Sequence, residues 1–313
     1  MFRQILLALA LAALAPTVAA APDAPIELVT KTGTLHGSLR TPDSPGPHPV
    51  ALIVAGSGPT DRDGNPPRLP NDSLRQLAAA LATEGIATVR YDKRGVGASR
   101  AAGPAEKDLR FDHYVDDAAA WIDRLRGDER FTRVAIIGHS EGAAIAALAA
   151  GKSKVSGFVS LAGIGSRASD VLRVQLKPKL PPALYEKSDR ILVALEKGED
   201  PGEVPPELAS LFRPSVQPYL VSWFRHVPAE AYARLDVPIL IVQGDADIQA
   251  SVAEGKALKA AAPKATLEVV PRMSHVLKTV TDDPASQMQG YTDPSVPIVP
   301  SLGPLLARFL AKA

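Results

Sequence analysis

The stretch Gly138-His139-Ser140-Glu141-Gly142 holds a serine with a glycine two residues to either side. A serine hydroxyl is a poor nucleophile at neutral pH. It attacks a carbonyl when a base takes its proton and an acid orients that base. Where a serine sits on a sharp strand-to-helix turn, its partners follow in the chain order acid, then histidine. Histidines stand at 36, 48, 113, 139, 226 and 275, and His275, in Met273-Ser274-His275, is the one that lies past the last predicted strand. The acid is expected just after an apolar run at 237–242, in Gly244-Asp245-Ala246-Asp247. Two aspartates compete there. In a tight turn the nearer one commonly caps the backbone, so Asp247 is taken as the orienting acid. A tetrahedral intermediate also needs backbone donors. The N–H of Glu141, directly after the nucleophile, is one, and Ser57 in Gly56-Ser57-Gly58-Pro59 is the expected second. The chemistry these residues imply is acyl transfer.

The flanking segments have the character needed to position that serine. Residues 133–137 (Arg-Val-Ala-Ile-Ile) read as a short buried strand, and the alanine-rich run 143–150 reads as a helix. Close packing around such a turn leaves no room for side chains at Gly138 and Gly142. Upstream, 26–31 and 34–40 flank Thr32-Gly33 as a predicted hairpin. A β–α alternation follows, with strands at 50–55, 86–91, 155–162, 237–242 and 266–270. Helices are expected at 72–83 (with a Ser/Asp-type start), 114–126, 253–261 and 302–311. This pattern predicts one mostly parallel sheet covered on both faces.

Residues 163–236 break the rhythm. Prolines cluster there, no strand is evident, and only short apolar helical stretches at 191–197 and 219–224 remain. The segment is too long for a structureless loop and is expected to fold as a helical cap over the serine. The organisation expected is therefore a core of 21–162 and 237–313 with the cap 163–236 inserted. Tyr185, Phe212, Tyr219, Trp223, Phe224 and Tyr232 are its candidate pocket residues.

At 313 residues, 46% hydrophobic and 22% charged, the chain has ample core, and a net charge of +1 gives no electrostatic case for nucleic acid. No cysteine is present, which excludes disulfides and thiolate metal sites. No histidine spacing suits a metal. The acidic stretch Asp61-Arg62-Asp63-Gly64-Asn65 departs from a calcium loop at Pro66 and Asp72, and Gly95-Val96-Gly97 lacks the third glycine of a dinucleotide fingerprint. No cofactor or metal is expected. At the N-terminus, Arg3, an apolar run of 11 residues (5–15) and Val18-Ala19-Ala20 have the layout of a cleaved secretory signal at 1–20. Eleven residues span only about 16 Å as a helix, against about 30 Å of hydrocarbon. The expectation is a periplasmic or secreted protein, with a mature chain beginning near Ala21 and no stable membrane insertion after signal removal.

From about residue 26 to the C-terminus the chain resembles bacterial α/β-hydrolases of the serine esterase and serine aminopeptidase-like group. The resemblance rests on Gly56-Ser57-Gly58-Pro59-Thr60-Asp61-Arg62-Asp63, on Tyr91-Asp92-Lys93-Arg94-Gly95-Val96-Gly97-Ala98-Ser99, on the serine turn, and on the Asp247 and His275 segments. Where the group usually has His-Gly before the oxyanion loop, this chain has Ala55-Gly56. The resemblance implies the α/β-hydrolase fold, with an eight-stranded sheet, helices on both faces and a cap inserted after the sixth strand. It also implies a Ser140–Asp247–His275 triad acting on a small-molecule acyl ester. Thioesters, N-terminal amides, or a non-catalytic pocket that only binds ligands are the alternatives left open, as are the physiological substrate and the oligomeric state.

Overall fold

The computed structural model describes residues 23–313. The apolar N-terminal segment and its expected cleavage site lie outside the described residues. Strands β1 (Ala24–Thr30) and β2 (Gly33–Arg40) form an antiparallel hairpin. Six further strands follow: β3 (His48–Val54), β4 (Ala87–Tyr91), β5 (Phe131–His139), β6 (Phe158–Leu161), β7 (Ile239–Gly244) and β8 (Thr266–Val270). They build one eight-stranded sheet in the order β1-β2-β4-β3-β5-β6-β7-β8. β2 pairs with β4 antiparallel, and every pairing from β4 to β8 is parallel.

Parallel strands need crossover helices, and these cover both faces. The two-residue period of β3 shows how the layers are filled. Val50, Leu52 and Val54 face a core shared with α2 (Phe111–Arg126) and α3 (Glu141–Ala150). Ala51 and Ile53 face a second core, shared with α1 (Ser73–Thr83) and the closing helix at Leu302–Leu310. Buried on both sides, such strands are apolar throughout rather than alternating. That is why they read so clearly in the sequence.

Helix starts differ from expectation in instructive ways. α1 begins at Ser73, and Asp72 precedes it at φ 54° with no side-chain cap to the helix. Its carboxylate is taken by Asn65 Nδ2 at 2.9 Å and by Arg75. α2 starts three residues early, at Phe111, because its first N–H donates to Ser222 Oγ at 2.8 Å, a residue 111 positions away. No local signal announces that partner.

Between β6 and β7 lie α4 (Ala168–Leu176), α5 (Pro182–Lys197), α6 (Ala209–Phe212), α7 (Gln217–Phe224) and α8 (Pro228–Ala233). α5 is more than twice the expected apolar stretch, starting on Pro182 at its first turn, where the missing N–H costs nothing. The inserted helices seat on the core through Phe111. Its ring stacks on Trp223 at 5.8 Å, with Tyr219 and His226 at 6.2 and 5.3 Å. After β7 come α9 (Val252–Ala261), α10 (Pro284–Thr292) and α11 (Leu302–Leu310). The sequence did not announce α10. It buries only Gly290, so it carries no apolar stripe to read. Among the described residues no helix is long and apolar enough to cross a membrane.

Candidate active site

Parallel strands send their connecting loops out at one edge of the sheet, and ligand sites of open α/β sheets lie at the C-terminal ends of the strands. β3 ends into Gly56-Ser57, β5 into Ser140, β7 into Asp247, and β8 into His275. Residues as far apart as 57 and 275 in sequence therefore converge.

Ser140 sits between β5 and α3 at φ 55°, ψ −122°. A non-glycine residue there is strained by about 1–3 kcal/mol, and the packing around it holds the strain in place. A Cβ at Gly138 would fall on the Gly142 carbonyl, and one at Gly142 on the Val54 carbonyl. The Ser140 N–H donates to Leu161 O at 2.9 Å, and its carbonyl accepts from Ala143 N at 2.9 Å. The hydroxyl is left at the head of α3, beside the positive end of the helix.

His275 Nε2 lies 3.1 Å from Ser140 Oγ, and its Nδ1 lies 2.8 Å from Asp247 Oδ2. The Asp247 side chain is fully buried. Its other oxygen, Oδ1, accepts backbone N–H bonds from Gln249 and Ala250 at 2.7 and 2.9 Å. With one oxygen committed to the backbone, the other faces the imidazole as an acceptor. Nδ1 therefore carries the proton, and Nε2 is the acceptor for the serine hydroxyl. Asp245 points elsewhere: its Oδ1 accepts from Arg272 N at 2.6 Å, tying the two strand-end loops together. Ser57 and Glu141 line the same cavity as Ser140 and His275.

His139, within the serine motif, is buried and bonds through Nε2 to the His275 carbonyl at 2.7 Å. Accepting that bond, the carbonyl requires the ring to be an Nε2–H donor. Burial first, and the facing His275 second, hold the His139 pKa down to about 4 from 6.5. The sign follows from linkage. Between these values the unfolded chain binds the extra proton and the folded chain does not, so stability falls as pH is lowered through this window. This one group is expected to remove about 2 kcal/mol between pH 7 and pH 5. Urea unfolding of wild type and His139→Gln at both pH values measures it. An equal acid loss in the two proteins would show that His139 is not responsible.

The cavity, about 450 Å³, is roofed by the inserted helices. α4 presents Ala168, Val171, Leu172 and Gln175, and α7 with its preceding residue presents Val216, Tyr219, Leu220 and Trp223. Both sets have i, i+3, i+4, i+7 spacing, one face of a helix. Of the six aromatic candidates, Tyr219 and Trp223 line the cavity. Tyr185, half-buried on α5, is not in the lining, and Phe212, Phe224 and Tyr232 are buried in the packing beneath, where the Tyr232 hydroxyl donates to Ser160 Oγ at 2.7 Å. Aliphatic residues outnumber aromatic ones in the lining. The α4 periodicity was the signal available for them in the sequence. Arg213, also in the lining, is paired with Glu106, which joins the insertion to the core.

The Asp61–Asn65 stretch forms a tight loop, with Asp61 Oδ1 accepting the Asp63 and Asn65 N–H groups at 2.9 Å and Asp63 paired with Arg90 at 2.8 Å. Among the described residues no group of three or more His, Cys, Asp and Glu is placed to hold a metal ion.

Comparison with known proteins agrees with this architecture. Residues 72–192 match the family described as serine aminopeptidase, S33. The chain is similar to esterase EstD of Thermotoga maritima, 30% identical over 217 residues; the match covers 69% of this chain and 50% of EstD, so the chain spans about half the length of that relative. Among solved structures, the α/β-hydrolase GrgF from Penicillium superposes with a TM-score of 0.63 at 18% identity, covering 93% of this chain and 99% of GrgF. Est1E from Butyrivibrio proteoclasticus superposes with a TM-score of 0.59 at 17% identity, covering 92% and 99%. At such identities these likenesses speak for the fold. Eight strands in this order, helices on both faces and a serine turn at the end of β5 give the protein the α/β-hydrolase fold.

Proposed function

We propose that the protein is a serine hydrolase that cleaves carboxylic esters through an acyl-enzyme on Ser140. The observation that carries this reading is the unbroken chain Ser140 Oγ–His275–Asp247 opening into an apolar cavity. In the proposed cycle Ser140 Oγ attacks the ester carbonyl as its proton passes to His275 Nε2, and the buried Asp247 carboxylate balances the imidazolium. The backbone N–H groups of Glu141 and Ser57 receive the oxyanion. The alkoxide leaves with the proton from His275, and water, activated by the same histidine, releases the acid. The match to EstD supports an esterase. The N-terminal residues 1–20 support export, which N-terminal sequencing of the protein from a periplasmic extract tests.

An ester is favoured over a peptide N-terminus by the charges in the cavity. An amino terminus needs a free carboxylate to hold its ammonium. Among the described residues the one lining carboxylate, Glu141, is already paired with Lys93 at 3.3 Å. The helix faces of α4 and α7 form the proposed acyl-binding wall. Each methylene buried against it is worth about 0.8 kcal/mol, so kcat/KM is expected to climb with acyl length until the cavity is full, then fall.

Kinetics on 4-nitrophenyl esters from acetyl to dodecanoyl, beside aminoacyl nitroanilides and acyl thioesters, test the reading. Leu172→Trp, which fills the wall from α4, should move the optimum to a shorter chain. A flat profile in wild type, an unmoved optimum in Leu172→Trp, or faster turnover of the nitroanilides would overturn it. Labelling of Ser140 by a fluorophosphonate separates a catalytic from a ligand-binding protein.

A further inference from the structure

The segment Tyr91-Asp92-Lys93-Arg94 has no part in the proposed cycle, yet two of its charged side chains are directed at the oxyanion loop. Lys93 is completely buried, a costly position for an ammonium without partners. Its Nζ donates to the Gly56 carbonyl at 2.5 Å and to Glu141 Oε1 at 3.3 Å, and lies 4.9 Å from the centre of the Tyr114 ring. The Glu141 carboxylate is equally buried, and the Tyr219 hydroxyl from the insertion faces it. Its neighbour Asp92 accepts the Arg62 N–H at 2.8 Å and the Arg62 guanidinium at 2.7 Å. The loop from Gly56 to Arg62 is thus held at both ends by two consecutive residues.

The Gly56 carbonyl and the Ser57 N–H belong to one planar trans peptide unit, in which C=O and N–H point in opposite directions. A carbonyl pulled inward by Lys93 turns the Ser57 N–H outward, to the cavity that holds Ser140. Thr60 Oγ1 donates to the Ser57 carbonyl at 2.8 Å and fixes the next peptide plane as well. The second oxyanion donor is the backbone of Glu141, the residue whose side chain holds Lys93.

We propose that the buried Lys93–Glu141 pair is a positioning device that aims both oxyanion-hole amides. Lys93 touches neither substrate nor the reacting atoms; it acts through the Gly56–Ser57 peptide. The inference rests on the ester-hydrolase reading given above.

Lys93→Met alone leaves Glu141 as a lone buried charge, so the informative variant is Lys93→Met with Glu141→Gln, which removes both charges at similar volume. Its kcat on 4-nitrophenyl butyrate is expected to fall about 10²-fold, the size of a lost oxyanion donor, with KM little changed. Affinity for an alkyl trifluoromethyl ketone, whose adduct carries the oxyanion, should fall in parallel. Binding of uncleaved ester in a Ser140→Ala background should not. A purely structural pair would lower the melting temperature without this split. Wild-type kcat and ketone affinity in the folded double variant overturn the proposal. If that variant does not fold, Lys93→Arg decides. A planar fork cannot reproduce both contacts, so kcat and ketone affinity should drop together at constant KM, and wild-type values for both would again overturn it. Full turnover in Ser140→Ala would instead remove the reading on which the proposal stands.

Discussion

Ser140→Ala is expected to lower turnover of a simple ester by about 10⁶-fold, leaving roughly 10³–10⁴-fold over water from the oxyanion donors and binding. The fold should survive. The hydroxyl makes one hydrogen bond, to His275 at 3.1 Å, worth about 1 kcal/mol, and an alanine Cβ occupies the space the serine Cβ already has. The backbone makes a further comparison possible. At φ 55° any L side chain is strained, so Ser140→Gly should be inactive yet at least as stable as Ser140→Ala, the difference being up to about 1 kcal/mol. Steady-state kinetics and thermal unfolding of both variants measure this. Turnover near wild type in Ser140→Ala would falsify the assignment of the nucleophile and, with it, the acyl-enzyme.

Asp247→Asn should cost about 10⁴-fold in turnover at nearly unchanged KM, and the hydrogen bonds of Asp247 give the reason. Gln249 and Ala250 each donate an N–H to Oδ1. An asparagine must keep its carbonyl oxygen there, because turning the amide the other way sets its NH₂ against two backbone donors. The NH₂ then faces His275 Nδ1 and donates to it. The ring is forced into the tautomer with its proton on Nε2, which cannot take the proton from Ser140. Asp245→Asn has no such consequence. An amide oxygen still accepts from Arg272 N, so activity should stay within a few-fold of wild type and stability within about 1 kcal/mol. The two variants are compared for kcat and for urea midpoint. An inactive, stable Asp245→Asn beside an active Asp247→Asn would reverse the assignment of the acid.

The parts of the molecule legible in the sequence are those whose causes are local or fill a whole layer. A serine at a crowded strand-to-helix turn demands small neighbours within two residues, so Gly138 and Gly142 mark it. Strands buried on both faces read as unbroken apolar runs, and their alternation with helices implies parallel pairing and one loop edge. From that edge and the chain order, the neighbourhoods of Asp247 and His275 follow to within a few residues. Choosing between Asp245 and Asp247 at the level of atoms is another matter. Which carboxylate reaches the imidazole depends on how the β7 and β8 loops lie against each other, a contact spanning some thirty residues.

The inserted helices show the same division. Helical stretches around 191–197 and 219–224 announce themselves by apolar content. Whether Trp223 or Phe224 meets the cavity depends on how α7 docks against Phe111, about a hundred residues earlier in the chain. The start of α2 at Phe111 depends on Ser222 in the same way. Lys93 and Glu141 are the extreme case. By residue type each belongs on a surface, and they stand 48 positions apart. By itself the sequence determined the serine turn, the parallel sheet and the edge on which the candidate site lies, because steric exclusion and strand burial act on neighbouring residues. Tertiary structure alone decided which carboxylate meets His275, which helix faces wall the cavity and why a lysine lies beneath the Gly56–Arg62 loop, because those choices depend on partners that only the crossing of β3, β4 and β5 and the docking of the insertion bring within a few ångströms.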